Sequence, residues 1–399
     1  MPAVGCVLVP TAWPPAAGAR LIWGSDCGTV APFADLPAPA LARTVLVVNA
    51  GSSSIKLVLC DGQGRRIWQE QRGWGVTAGQ ASADGSDLQD LLRQWLAPLL
   101  GGADPSPDLV IHRLVHGGSH FTSPTALDAE VRRCLAELVP LAPLHNGPAL
   151  EVIGWLKDQD ATGDLPQWAC FDTAFHATLG EPAYTYAIPR SWRQQGLRRY
   201  GFHGLNHQHV AETVAATEPG VRRLISCHLG AGCSLCAVAI PAEGPPRSVD
   251  TTMGFTPLEG LVMASRSGSI DPGLLLHLLR EGHGAADLDR TLNRESGLLG
   301  LSGLSGDMRE LRQAAAAGHA GAQLAIAVFR HRLVRGIGAM AASLGGVDAI
   351  ALSGGIGEHD QDLSAELEQE LAWLSPLRWL RVPADEEGLM VRQCLAAGA

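Results

Sequence analysis

Three runs of small residues stand where the chain could receive a phosphate: AGSSS at 50–54, LGAGCS at 229–234 and SGGIG at 353–357. Gly and Ser leave backbone N–H groups uncovered, so an anion can approach the main chain, and the hydroxyls add donors. Lys56 follows the first run with a compact positive charge, and Asn49 precedes it with an amide oxygen fit for a metal ion or its bound water. A single Gly/Ser turn is most often an ordinary β-turn; with three in one chain the two readings are evenly matched. Arginine and histidine also sit beside glycine, at Arg113 in HRLVHGG, His203 in RRYGFHGLNHQH and Arg266 in SRSGSIDPG. Such loops commonly bind ligands when a scaffold positions them. Phosphoryl transfer would suit them, because it needs in-line positioning and donors that neutralise the equatorial oxygens. Read singly, each is more often a surface or structural residue. Asp172 in ACFDTAFH, Asp307 in SGLSGDMRE and Glu386 in PADEEG are the candidate carboxylates for Mg²⁺, which takes one or two together with waters and phosphate oxygens. His203, His207 and His209 do not read as a zinc site, since no Glu stands between them as in HExxH. Cys233 and Cys236 form one CxxC without the second pair that structural zinc requires.

The elements that must position these residues are strands and helices in mixture. TVLVVN at 44–49 is a Val-rich strand, AGSSS a tight turn and IKLVLC at 55–60 the returning strand. The arrangement recurs about 180 residues later as LISCH, LGAGCS and LCAVAI. Such an echo predicts two domains on one plan, each offering a turn to a shared cleft. VDAIALSGGIGEH at 347–359 reads as a buried strand entering a Gly-rich turn, and helices are expected at 88–99, 126–139, 206–216, 272–281 and 321–344. The class is α/β. Residues 1–42, rich in Pro and Ala, read as a poorly ordered extension without the basic start and apolar run of a signal peptide.

Composition bounds the rest. A chain of 399 residues suits two domains, and 46% hydrophobic with 18% charged residues is the range of a globular protein. A net charge of −10, with acids spread throughout, argues against nucleic acid as partner. No apolar run is long enough for a membrane span. Nine scattered cysteines in so long a chain favour a reducing cytosol over a secreted disulfide framework. Lysine occurs only at Lys56, inside the first motif, and at Lys157, on a helix surface.

Taken together and in order, the motifs resemble the acetate kinase family. The resemblance runs from about Val45 to Arg392 and rests on NAGSSSIK, HRLVHGG, LAPLHNGP, FDTAFH, RRYGFHG, HLGAG, DTTMGFTPLEGL, SRSG, SGLSGDMR, GGIGE and PADEEGLM. It implies a two-domain actin-like or sugar-kinase-like fold, with duplicated mixed-sheet cores around a nucleotide cleft. One domain would cover 43–173, joined by a C-terminal helix at 387–399. The other, 174–386, would carry most of the nucleotide site. It implies Mg²⁺, or Mn²⁺ in its place, ATP and ADP as co-substrates, acetate and acetyl phosphate as small-molecule substrates, and a homodimer. Matched by motif, Asn49 and Glu386 are the metal residues. Lys56 and His228, Leu229, Gly230, Ala231 and Gly232 are phosphate contacts. Asp307, Met308 and Arg309, with Gly355, Ile356, Gly357, Glu358 and His359, are nucleotide-binding. Arg113 binds the acid, Asp172 is the catalytic acidic residue, His203 and Arg266 stabilise the transferring phosphoryl group, and His145 is a further active-site histidine. Val115, Leu144, Phe202 and Pro257 form the apolar pocket for the acid's methyl group.

The chain departs from the family pattern in four places. Ala231 replaces the Asn of HLGNG, His359 the Asn of GGIGEN, Ser269 the Asp of SRSGD, and Leu205-Asn206 the Thr-Ser of FHGTSH. The first two leave the donor open between ATP, another nucleoside triphosphate and pyrophosphate. A propionate kinase differs by too little pocket volume to be separated from sequence. A sugar kinase would need polar groups where the apolar pocket is expected. A non-catalytic nucleotide-binding protein would have no reason to keep Arg113, Asp172, His203, Arg266 and Glu386 together.

Overall fold

A computed structural model of the chain describes residues 44–51, 54–73, 88–97, 100, 106–159 and 164–399. The expectation for residues 1–42 falls outside these. Strand β1 (Thr44–Ala50) returns antiparallel as β2 (Ser54–Asp61) and again as β3 (Arg66–Gly73). β4 (Leu109–Leu114) and then β6 (Gln167–Phe171) add parallel to β1, and the short β5 (Thr125–Ala126) closes the edge. The resulting order is β3-β2-β1-β4-β6-β5. The second sheet repeats the plan. β7 (Arg223–Leu229), β8 (Cys233–Ala239) and β9 (Arg247–Thr251) form the antiparallel meander, and β10 (Ala349–Ser353) and β11 (Arg378–Arg381) add parallel beside β7. The echo in the sequence is therefore a repeated sheet topology.

Val-rich strands alternate their side chains between two covered faces. Leu46 and Val48 pack with Ala149, Val152, Ile153 and Leu156 of α1 (Pro143–Lys157). Val45 and Val47 pack with Leu389, Met390, Val391 and Cys394 of the C-terminal helix. On the second sheet, Leu224, Cys236 and Val238 face Val210, Ala211 and Val214 of α2 (Gly204–Thr217). Ile225, Cys227 and Leu235 face the opposite side, against Phe329, Leu333 and Ile337 of α4 (Ala320–Leu344), which follows α3 (Met308–Ala316). Two more helices matter here: α5 (Gly354–His359), directly after β10, and α6 (Glu386–Ala396), the C-terminal helix. Leu205 of α2 packs in the core beneath α6, so α2 touches both halves of the molecule.

Four expectations need correction. SGGIG is the start of α5, not a turn. The helix expected over 126–139 spans Ala129–Glu137, because Thr125–Ala126 pairs with β6 and the Asp128 carboxylate caps the helix by accepting from Val131 N at 2.7 Å. The stretch 88–99 is one α-turn, Leu88–Leu91, followed by a wider turn at Leu92–Leu96, with residues 98 and 99 outside the description. The C-terminal helix begins at Glu386, one residue early, and ends at Ala396. Among the described residues no helix is long and apolar enough to cross a membrane.

Burial keeps four structural imidazoles neutral. His112, His116 and His176 are pushed down to about 4, and His207 falls well below its ordinary 6.5. The unfolded chain takes up protons first, so this contribution to stability is present above about pH 6.5 and is lost as the pH falls toward about 4. The urea midpoint is expected to drop clearly between about pH 7.5 and about pH 5.5. A constant midpoint across that window would contradict neutral burial.

Candidate active site

The site is built where strand ends meet. Asn49 is the penultimate residue of β1, Arg113 of β4, and Asp172 directly follows β6. These strands are neighbours, so register alone brings the three side chains together. Arg113 Nη1 donates to Asn49 Oδ1 at 3.0 Å and its Nε to Asp172 Oδ1 at 3.1 Å, while Nη2 pairs with Asp172 Oδ2. Asp172 is 1% exposed. Burial opposes the charge of Arg113, but the carboxylates of Asp172 and Glu386 overcome it and raise its pKa. Burial pushes Asp172 upward, against Arg113, and the Glu386 carboxylate adds to the rise.

Asp172 also fixes a residue of the second half. Its carbonyl accepts from Gly204 N at 2.8 Å, which occupies one of the unpaired N–H groups in the first turn of α2. His203 stands just before that turn with φ 56° and ψ 24°, the only described non-glycine residue at positive φ. Its ring lies 4.4 Å from that of His228, at the end of β7. A Cβ on Gly232 would meet His203 Nε2 at 3.1 Å and Arg266 Nη1 at 3.8 Å, so the glycine opens the space those two groups flank. His145, in the first turn of α1, is lowered to about 4 by burial and by the charges of Arg266 and Arg113. His228 is lowered to about 4 by burial, and its buried Nδ1 has no partner among the described residues.

Two charges in this space are unpaired. Among the described residues the Arg266 guanidinium has no hydrogen bond or ion pair, and burial and the charge of Arg113 lower its pKa. The Glu386 carboxylate at the start of α6 likewise has none, and burial raises it while Arg113 opposes. A guanidinium without a counter-ion suits an anion and a carboxylate without one suits a cation. No group of three or more His, Cys, Asp or Glu among the described residues stands ready to hold a metal unaided. A carboxylate and an amide oxygen, as Glu386 and Asn49 offer, are the hard oxygen donors that Mg²⁺ takes together with water and phosphate oxygens. Asn49 Oδ1 keeps one lone pair beyond the bond from Arg113.

The expected nucleotide segments border one another. Gly354, at φ 79°, lies so close to Leu229 that a Cβ would sit 2.8 Å from the Leu229 carbonyl oxygen, and Gly357 packs on the Leu229 side chain. The Ala231 carbonyl accepts from Ala264 N at 3.0 Å, and Gly306 packs on the Ala264 carbonyl. Asp307 caps α3 by accepting from Arg309 N at 2.8 Å and pairs with the exposed Arg309 guanidinium, while Met308 is buried in the core. Glu358 accepts from Gly354 N and Ala384 N, both at 3.0 Å, so its carboxylate holds α5 to the segment before Glu386. His359 is exposed and its Nδ1 lies 3.0 Å from the Gly355 carbonyl. Ala231 and Gly355 are exposed and Ile356 half-buried. Val115 and Phe202 share one apolar cluster, Pro257 is half-buried in the loop after β9, and the Leu144 side chain lies outside the description.

Sequence reasoning missed Glu387. The residue is 6% exposed, and its carboxylate pairs with Lys56 Nζ at 2.5 Å and with Arg66 at 3.5 Å, so Lys56 already has a counter-ion. The doubled Glu in PADEEG was the available signal. Ser226, Ser234 and the role of His207 were missed as well; nothing in a single sequence marks a buried serine.

Residues 44–379 match the family described as the Acetokinase family. The acetate kinase of Synechococcus sp. (strain JA-2-3B'a(2-13)) is 46% identical over 365 residues, covering 83% of this chain and 87% of its own length. The chain belongs to the acetokinase family. It is a phosphotransferase with a carboxyl group as acceptor, and the reaction of its family is the phosphorylation of acetate by ATP. Among solved structures, the acetate kinase of Porphyromonas gingivalis aligns with TM-score 0.75 and 28% identity over 89% of this chain and all of that one. A propionate kinase from Francisella tularensis subsp. tularensis SCHU S4 aligns with TM-score 0.78 and 29% identity, over 88% and 98%.

Gly204 is the most exacting contact of this acetokinase site. A Cβ there would lie 2.1 Å from the Asp172 carbonyl oxygen. Gly204→Ala is expected to destabilise the chain by about 2 kcal/mol or more and to lower turnover in what still folds. Urea unfolding and steady-state assays of the same preparation check both.

Proposed function

We propose that the chain transfers the γ-phosphoryl group of ATP directly to the carboxylate of acetate, giving acetyl phosphate and ADP, reversibly and with Mg²⁺. The observation that carries this reading is the pair of opposite charges, Arg266 and Glu386, that have no ion pair among the described residues and both lie within electrostatic reach of Arg113. In the forward direction a carboxylate oxygen attacks the γ-phosphorus, the new O–P bond forms, and the bond to the bridging oxygen of ADP breaks. A carboxylate is ionised at neutral pH, so no general base is needed. Arg113 binds and orients the acid, and Asp172 fixes the plane of that guanidinium. Val115, Phe202 and Pro257 border the methyl group, and the resemblance assigns Leu144 to the same pocket. Arg266 and His203 donate to the equatorial oxygens, and His145 borders the same space. Mg²⁺ held by Glu386 and Asn49 would neutralise charge on the phosphates. His228–Gly232, Asp307–Arg309 and Gly355–His359 line the nucleotide, with Lys56 at its phosphates once freed from Glu387. On this reading residues 43–173 with the C-terminal helix form one lobe and 174–386 the other, and the enzyme works in the cytoplasm. Mn²⁺ is the alternative metal to compare with Mg²⁺ in the assay.

A hydroxamate assay for acyl phosphate tests the proposal. Acetate with ATP and Mg²⁺ is expected to give product, with propionate as the comparison acid and GTP and pyrophosphate as comparison donors. Arg266→Ala is expected to cost about 10²-fold in kcat, and Asp172→Asn about 10-fold or more at saturating magnesium. Product from neither acid with any donor would end the reading; full turnover in Asp172→Asn would remove that residue from it.

The enzyme is proposed to be a homodimer. The helix Pro272–Arg280 has no buried residue and exposes Leu274, Leu276 and Leu279, and the helix Ala285–Arg294 after it has none either. A second copy of this chain is the occupant that would cover them. Light scattering is expected to give about twice the chain mass of 41.9 kDa, and Leu276→Asp with Leu279→Asp to give the monomer. A wild-type monomer at micromolar concentration would refute the dimer.

A further inference from the structure

Behind His203 lies a line of buried hydrogen bonds that the transfer reaction as described does not use. His203 Nδ1 is 2.9 Å from Ser234 Oγ, Ser234 Oγ is 2.7 Å from His207 Nε2, and His207 Nδ1 is 2.9 Å from Ser226 Oγ. Ser226, Ser234 and His207 are each 0% exposed. Strand register makes the line possible. Ser226 and His228 share one face of β7, their partners Cys236 and Ser234 share that face of β8, and His207, one turn into α2, reaches the serines from above.

Proton counting gives the line a direction. Each neutral imidazole has one N–H and one bare nitrogen, and each serine one O–H. Ser234 touches two imidazole nitrogens and has no other side-chain partner among the described residues, so it donates to one and accepts from the other; accepting from both would leave its own buried O–H without an acceptor. Two orientations of the line satisfy this. In the first, Ser226 donates to His207 Nδ1, His207 Nε2–H donates to Ser234, Ser234 donates to His203 Nδ1, and His203 carries its proton on Nε2. In the second every bond is reversed and His203 Nε2 is bare. Ser226 decides between them. Among the described residues His207 Nδ1 is the one hydrogen-bond partner of its hydroxyl. Donating uses that hydrogen, whereas accepting would leave a buried O–H without a partner, which folded proteins avoid.

We propose that Ser226, His207 and Ser234 are positioning residues that fix His203 as the Nε2–H tautomer, and thereby make its outward nitrogen a hydrogen-bond donor. The outward nitrogen is the one beside Gly232 and Arg266. A bare nitrogen there would repel the oxygens of a phosphoryl group; an N–H stabilises them. This use of the proton rests on the proposed function, while the tautomer does not. The left-handed backbone of His203 fits the same demand, since it turns the ring back toward β8 instead of along the helix.

Nitrogen-15 NMR of the histidine-labelled full chain tests the tautomer directly, with the His203 signals assigned by their loss in His203→Gln. Wild type is expected to show Nε2–H and bare Nδ1 on both His203 and His207. In Ser226→Ala the selection is lifted, and signals of both tautomers replace one. Ser234→Ala is expected to lower kcat about tenfold while the KM values for acetate and ATP change less than about twofold, and Ser234→Thr, which keeps the hydroxyl, to recover most of the loss. A proton on Nδ1 of His203 in wild type, or a single unchanged tautomer in Ser226→Ala, overturns the inference; so does wild-type kcat in Ser234→Ala when His203→Ala is impaired. Wild-type kcat in His203→Ala would instead overturn the placement of His203 at the phosphoryl group and leave the tautomer standing.

Discussion

The pairing of Arg113 with Asp172 is the contact on which the site depends. It joins the ends of β4 and β6, and through Asn49 it reaches the end of β1. The Asp172 carbonyl then accepts from Gly204, which ties the first sheet to the helix that begins beside His203. A buried ion pair contributes little net stability against an apolar alternative, because both ions lose water. Its value here is geometric. A planar guanidinium held along its Nε–Nη2 edge by a carboxylate and at Nη1 by an amide oxygen cannot rotate, so its remaining N–H groups keep one direction. Breaking the pair would leave a buried charge and release the element carrying His203 at the same time.

The duplicated topology explains why residues far apart in sequence converge. Asn49 pairs in register with Lys56 across the first hairpin, and His228 with Ser234 across the second. Asn49 and His228 are thus corresponding positions of the two copies, each the penultimate residue of its central strand. The copies have diverged in chemistry. The first presents oxygen and cation at the hairpin, with Lys56 reaching Glu387 of the last helix. The second presents imidazole and hydroxyl, with Ser234 reaching back to two histidines of α2. Parallel addition of β4 and β10 beside the central strands puts the next chemical groups at the same edge.

Much of this was legible in the sequence, for definite reasons. β1, β2, β7 and β10 are Val, Leu and Ile runs bounded by Gly and Ser, and such runs have few alternatives. α1 was not legible because Gly147 and Pro148 interrupt LAPLHNGP, yet the Pro lies only one turn past the start, where little of the hydrogen-bond ladder is lost. α5 was misread because glycine signals a turn; in the structure Gly354 serves close approach to Leu229. The site residues were legible as types in loops, but their pairings were not. Arg113 with Asn49 depends on strand register, and Lys56 with Glu387 joins positions 331 apart. The buried serines behind His203 carry no local pattern at all.

Charge balance connects the site to what it must hold. Lys56 is neutralised by Glu387, so the charges gathered around Arg113 are Arg113 and Arg266 against Asp172 and Glu386. These sum to zero. The histidines add nothing, since burial keeps His145, His203 and His228 neutral. A carboxylic acid anion and a polyphosphate bring several negative charges into this neutral, partly dry space, and two arginines already offset by carboxylates cannot balance them. A divalent cation offsets two of them. The need for a metal then follows from the excess charge of the substrates over what the chain supplies, and Glu386, a carboxylate without a hydrogen bond or ion pair among the described residues, is the group that would receive a cation on the proposed reading.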